Sequence, residues 1–303
     1  MNQTIIEGFR IKGFSDFAQQ DQISFLVLLI YLICLGGNMT ILLLFCLDVH
    51  LHTPMYFFVS NLSVIDIVSS TTTLHRIFVI FTTHNHMISA PACMTQLFIF
   101  STASSNEISI LTAMSFDRYV AICRPLYYHT IMTWRLCGLL ASVCWVFASI
   151  EVFPTIYFIS RFTCYVSKEI DHYFCDILPI RDITCSDTSV LDLFILIFGN
   201  LVIFILLCLT IVPYTFIISC ILKITSSSGR YKAFYTCSLH LMVVGIFYSS
   251  IFLQYMVTVL VGTMGSNKIF SLFNTAVVPM LNPLIYSLKN KDVKSALLRQ
   301  FKL

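Results

Sequence analysis

The chain has 303 residues, of which 57% are hydrophobic and only 11% charged, with a formal net charge of +3. Soluble domains carry about 25% charged residues, so this chain has too little charge to cover a water-facing surface, and a bilayer is its implied solvent. The small net charge gives no footing for nucleic acid as a partner.

Residues 1–22 are mixed and polar, with Glu7, Arg10, Lys12, Asp16 and Asp21 scattered through them. They lack the basic start, apolar core and small-residue cleavage site of a secretory signal. The first apolar stretch, 23–47, is therefore expected to act as an uncleaved signal anchor. A membrane helix needs about 20 mostly apolar residues. Seven stretches qualify: 23–47, 56–80, 93–119, 137–159, 192–222, 235–260 and 269–288. The expected organisation is an extracellular N-terminus (1–22), a seven-helix membrane domain (23–288) and a cytoplasmic tail (289–303). No internal repeat is evident, which argues against a transporter built from repeated halves.

Polar residues inside these stretches mark candidate sites. Asp66 lies about 11 residues into segment 2, and Glu107 lies 11 residues before Arg118 at the inner end of segment 3. At 1.5 Å per residue both fall roughly 16 Å deep, near the middle of an about 30 Å core. Asn38 and Asn282 come out at similar or shallower depth. Intramembrane acids are costly and mark ion paths or proton relays. Asp66 and Glu107 are therefore expected to face each other and to share a proton or hold a cation, with sodium the candidate. The plain alternative is a pair of protonated acids that only bond neighbouring helices. Segment 3 ends in Asp117-Arg118-Tyr119, and segment 7 carries Pro279 to Tyr286, where Pro283 removes a backbone donor and bends the helix.

Orientation follows from Lys and Arg near the span ends. Eleven of the 18 lie on the side that holds the C-terminus and seven on the other, which places the C-terminus in the cytoplasm and the N-terminus outside. Asn2-Gln3-Thr4 then becomes a usable glycosylation sequon. Of twelve cysteines, eight fall within or at the inner ends of spans. The other four, Cys93, Cys164, Cys175 and Cys185, lie on the outer side, where an even number suggests two disulfides. Spacing leaves three pairings open. Three of the four belong to the long outer loop 160–191, which reads as an ordered cap. The inner loops, including 223–234, are too short to hold a catalytic domain, and no metalloprotease or Ser/His/Asp set shares a common depth. No metal site is expected. The tail places Val293, Leu297 and Phe301 on one face, with Lys291, Lys294, Arg299 and Lys302 supplying charge, as in a short amphipathic helix on a membrane surface.

Several stretches taken together resemble the rhodopsin-like G-protein-coupled receptors, and within them the vertebrate odorant receptors. These are Gly37-Asn38, Leu51 to Phe58, Met114 to Cys123, Lys232 to Cys237 with His240, and Pro279 to Asn290. Glu107 is typical of that group, and the run Asp171 to Asp176 resembles its tetrapod-type branch. Pro213 precedes Tyr214 where Ser is usual, and Tyr235 and Leu239 stand where Ser is more common. The resemblance implies a sensory receptor that binds a small volatile ligand and activates a stimulatory olfactory G protein, raising cyclic AMP. It assigns coupling and activation to Asp117, Arg118, Tyr119, Tyr214, His240 and Tyr286. It pairs Cys93 with Cys175, and Cys164 with Cys185. It also puts the ligand in the outer half of the bundle, against Phe100, Ser101, Ser104 and Ser105 of segment 3, Phe198 and Val202 of segment 5, Tyr248, Ile251 and Tyr255 of segment 6, and Thr275 of segment 7. Apolar walls with a few hydroxyls suit small, weakly polar molecules. A transporter or channel is the competing reading, with the Asp66 and Glu107 pair as its best support.

Overall fold

The computed structural model describes residues 7–15, 18–257, 264–285 and 291–301, with side chains for all of these but 255–257, 264–267, 291 and 301. Five helical stretches are long and apolar enough to cross a membrane: α1 (Gln20–Leu47), α2 (Pro54–Thr83), α5 (Trp134–Ser160), α7 (Ser189–Leu222) and the stretch Ser227–Gln254, which contains α8 (Ser227–Ile251). The long helix α3 (Ala90–Cys123) makes a sixth. Its Ser, Thr, Asn and Gln residues keep it more polar than the others. The seventh is built from α9 (Met264–Leu272) and α10 (Val278–Pro283), joined by a wider π turn over Phe273–Val277. Short helices α4 (Tyr128–Ile131) and α6 (Ile177–Ile183) sit in connections, and α11 (Lys291–Phe301) closes the chain.

Hydropathy finds the spans, but local chemistry sets their ends. Thr133 accepts a hydrogen bond from the Leu136 N–H and so starts α5. Ser89 does the same for α3, with Pro91 in its first turn. Ser226 caps α8 through the Gly229 N–H, so that helix begins eight residues before the apolar stretch does and shortens the expected 223–234 loop to a tight turn. Such hydroxyl caps satisfy N–H groups that have no partner within the helix. At the far end of α2, His84 takes a left-handed conformation (φ 53°) and stops the helix.

The bundle is packed inside out by the standards of a soluble protein. Phe25, Leu29, Leu139, Ile150, Leu196, Phe204 and Ile218 are exposed, whereas Asn38, Asp66, Asn106, Glu107, Ser115 and Asn282 are buried. Lipid accepts the first set, and only neighbouring helices can satisfy the second. Gly37 lets α1 approach α10 closely. A Cβ there would stand 3.0 Å from Pro283 Cγ.

One end of the bundle is covered. Three short strands, β1 (Gly8–Ile11), β2 (Met87–Ser89) and β3 (Glu169–Ile170), form a sheet in the order β2-β1-β3. β1 pairs antiparallel with β2 and parallel with β3. The sheet lies with the 160–191 loop, where Cys93 joins Cys175 and Cys164 joins Cys185. At the opposite end α11 packs Val293, Ala296 and Leu297 against Leu44, Leu51 and Tyr56, and Arg299 holds Asp48 at 2.6 Å. The N-terminal strand and the C-terminal helix thus occupy opposite ends of the bundle. Asn2 and Tyr286 lie outside the described residues, as do the side chains of Tyr255 and Phe301.

Candidate functional site

Three helices converge midway along the bundle. Asn282 of α10 directs its amide nitrogen to both Asp66 oxygens (3.1 and 3.0 Å) and to Glu107 Oε1 (3.1 Å). Asp66 on α2 and Glu107 on α3 are 0% and 3% exposed, so the depth expected of them brings them to one donor. Asn38 sits one step away on α1 and donates to the carbonyl oxygens of Cys34 and Pro279 (3.1 and 3.0 Å). The second of these bonds uses a carbonyl beside the bend of α10. Two N–H groups of one amide cannot neutralise two ionised acids in a low-dielectric interior. The two acids thus share a single amide donor where α2, α3 and α10 meet.

Toward the covered end, the cap enters the bundle through His172, Tyr173 and Phe174, all buried. Phe174 meets Phe100 edge-on at 4.8 Å, and the Tyr173 hydroxyl bonds Thr275 Oγ1 at 2.8 Å. Two of the expected lining residues thus touch the cap. His172 Nε2 lies 3.2 Å from Ser271 Oγ, and Lys268 Nζ pairs with Asp171 at 2.6 Å. Burial, helped by the Lys268 charge, pushes the His172 imidazole down to about 3, so the ring is neutral. Ser101 is half-buried with its hydroxyl oxygen enclosed, and Ser104 is half-buried. Ser105 donates to Glu151 of α5. Val202 and Ile251 are buried, and Tyr248 is half-buried with its hydroxyl enclosed. Phe198 is 38% exposed and stacks on Phe194 at 5.0 Å. A cleft of about 520 Å³ opens between α8 and α9, lined by Gly245, Ile246, Ser249, Ser250, Leu253, Phe270 and Phe273 among others.

At the opposite end, Asp117 accepts a hydrogen bond from the Tyr128 hydroxyl (2.8 Å) and faces Arg118 Nη2 at 3.8 Å. Tyr214 of α7 and His240 of α8 lie in stacked planes and are hydrogen-bonded, hydroxyl to Nδ1, at 2.5 Å. The Arg118 guanidinium lies near both. Tyr119 packs edge-on against Phe216 at 6.0 Å. Arg118 therefore stands near α7 and α8, and among the described residues its one ion pair, at 3.8 Å, is to its own helix.

A profile of the olfactory receptor family matches residues 27–302. Olfactory receptor 1M1 of Mus musculus is 41% identical over 297 residues, covering 98% of this chain and 95% of its own length. This chain belongs to the olfactory receptor family. Olfactory receptor 1N1 of Homo sapiens is 38% identical over 301 residues, 99% of this chain and 97% of its own. The fold is that of squid rhodopsin, whose crystal structure superposes with a TM-score of 0.71 at 19% identity, over 95% of this chain and 83% of that one. This olfactory receptor is thus a seven-helix receptor, and its relatives are receptors rather than enzymes.

Sequence reasoning passed over several polar residues of the receptor. Glu151 is an acid in the apolar run 137–159, the same signal that picked out Asp66 and Glu107, and it meets Ser105. A buried relay joins Ser250 to Asn274 (2.6 Å), Asn274 to Gln254 (2.9 Å) and Gln254 to Asp176 of the cap (3.0 Å). Gln96 ties the cap to α2 by accepting from the Cys175 N–H (2.9 Å) and donating to the Thr72 carbonyl (2.7 Å). No spacing rule finds these amides, because each partner lies on a different element.

Proposed function

We propose that this olfactory receptor sits in the plasma membrane with its N-terminus outside, glycosylated at Asn2, and its C-terminus in the cytoplasm. It binds a small volatile molecule in the outer half of the bundle and activates a stimulatory heterotrimeric G protein, raising cyclic AMP. The ligand contacts come from Phe100, Ser101, Ser104, Ser105, Phe198, Val202, Tyr248, Ile251, Tyr255 and Thr275. What supports the reading most is the inner end, where Arg118, weakly held by Asp117, stands beside the bonded Tyr214 and His240 pair. Such a pair can exchange partners when α3, α7 and α8 shift. A ligand moves that equilibrium only by its differential affinity for the shifted state. Tyr119 and Tyr286 complete the coupling set. Asp66, Glu107, Asn38 and Asn282 hold a sodium ion or share a proton at the pivot.

The decisive experiment is a cyclic AMP reporter screen of the receptor, with Arg118→Ala beside it, against a broad odorant panel. The wild type responds to some member of the panel, and R118A reaches the cell surface but stays silent. Normal cyclic AMP output from R118A refutes the coupling assignment. No response from the wild type to any compound, with normal surface expression, refutes the choice of ligand class or of G protein.

A further inference from the structure

Besides the two outer disulfides, the structure joins Cys123 to Cys220. Cys123 is the last residue of α3, six residues beyond Asp117, and Cys220 lies in the last turn of α7. Their Cα atoms are 5.7 Å apart, against 5.5 and 5.1 Å for the two outer bonds. That separation lies in the middle of the range a disulfide spans without backbone movement. Both residues are half-buried rather than enclosed, so a small oxidant can reach them. Cys123 packs against the cluster of Tyr214, Ile217, Ile221 and Cys237, as Tyr119, Ile122 and Ala233 also do. The bond therefore ties together the two helix ends that flank Arg118.

On the orientation proposed above, this pair faces a compartment whose thiol pool keeps cysteines reduced, unlike the outer pairs. We infer that Cys123 and Cys220 form a reversible oxidation site, a thiol pair in resting cells that peroxide converts to a staple between the inner ends of α3 and α7. The chemistry balances with hydrogen peroxide as oxidant. One thiolate attacks a peroxide oxygen, giving a sulfenic acid and, after protonation, one water. The second thiol displaces the sulfenic hydroxyl, forming the S–S bond and releasing a second water. Reduction by a dithiol restores both thiols by exchange through a mixed disulfide. Neither partner needs to travel, because the fold already holds the two Cα atoms at bonding distance.

The full-length receptor is expressed in cultured cells, thiols are blocked by maleimide with or without permeabilisation, and peptides are mapped without reduction. In untreated cells Cys123 and Cys220 are labelled only after permeabilisation, while Cys93–Cys175 and Cys164–Cys185 are already linked. Brief hydrogen peroxide raises the Cys123–Cys220 linked peptide at least about fivefold, and dithiothreitol reverses it. Cys220→Ser yields no such peptide and leaves Cys123 recoverable as a thiol after reduction. Two thiols that are labelled on permeabilisation but never link under peroxide overturn the oxidation site and leave the orientation standing. A pair fully linked before treatment, like the outer bonds, overturns both the switch and the orientation on which it rests.

Discussion

Asn282 divides one amide nitrogen among three carboxylate oxygens, at 3.0–3.1 Å from each. Its removal leaves two buried acids without their shared donor, and an unsatisfied buried group costs about 1–3 kcal/mol. Asp66→Asn combined with Glu107→Gln removes the demand for a positive partner. The expected outcome is a response to agonist that no longer depends on sodium concentration, read as cyclic AMP in sodium and in choline buffers. Unchanged sodium dependence in that double variant excludes the cation reading. At this scale much was legible in the sequence. Counting 1.5 Å per residue from the inner end brings Asp66 and Glu107 to one depth, with Asn282 at a similar or shallower one. Glu151 carries the same signal, an acid within an apolar run. Tyr128 and Gln96 carried none, since a hydroxyl or amide near a span end is ordinary until its partner on another helix is known.

Among the elements, the contact between α1 and the seventh helix is a close one to probe. A Cβ on Gly37 would stand 3.0 and 3.1 Å from Pro283 Cγ and Cβ, and a proline ring inside a packed helix cannot swing aside. Small residues let membrane helices approach in this way. Gly37→Val is therefore expected to destabilise the receptor by about 1–3 kcal/mol, as overpacking does, and to lower its thermal midpoint in detergent. A midpoint equal to wild type would mean that α1 moves away freely. The spans themselves were plain from apolarity, but their ends were not. Ser226 starts α8 eight residues before the greasy stretch begins, because a cap answers to N–H groups and not to lipid. The strands of four, three and two residues are too short to show any alternation, so the sheet had no signature in the sequence beyond an ordered outer loop.

For the molecule as a whole, the cap carries a buried histidine that couples its packing to pH. His172 is buried beside Lys268 and Ser271, with Asp171 paired to that lysine, and its ring is held down to about 3 from an ordinary 6.5. An unfolded chain takes up a proton at this histidine as pH falls below about 6.5, while the folded one refuses it until about 3. Cap stability is therefore full above that window and falls on acidification by at most about 1.4 kcal/mol per pH unit within it. Thermal unfolding of the purified receptor at pH 7.5 and 5.0 should show the loss, and His172→Gln should flatten it. An equally steep slope in H172Q would assign the effect to other groups. The three-stranded sheet carries a different implication, for biosynthesis. β1 is made first, yet it lies between β2 and β3, and β3 is contributed by residues 169–170. After two membrane crossings β1 can pair with β2, but its other edge stays open until residues 169–170 have followed two crossings later. A nascent receptor thus completes this sheet only when somewhat more than half of its residues have been made.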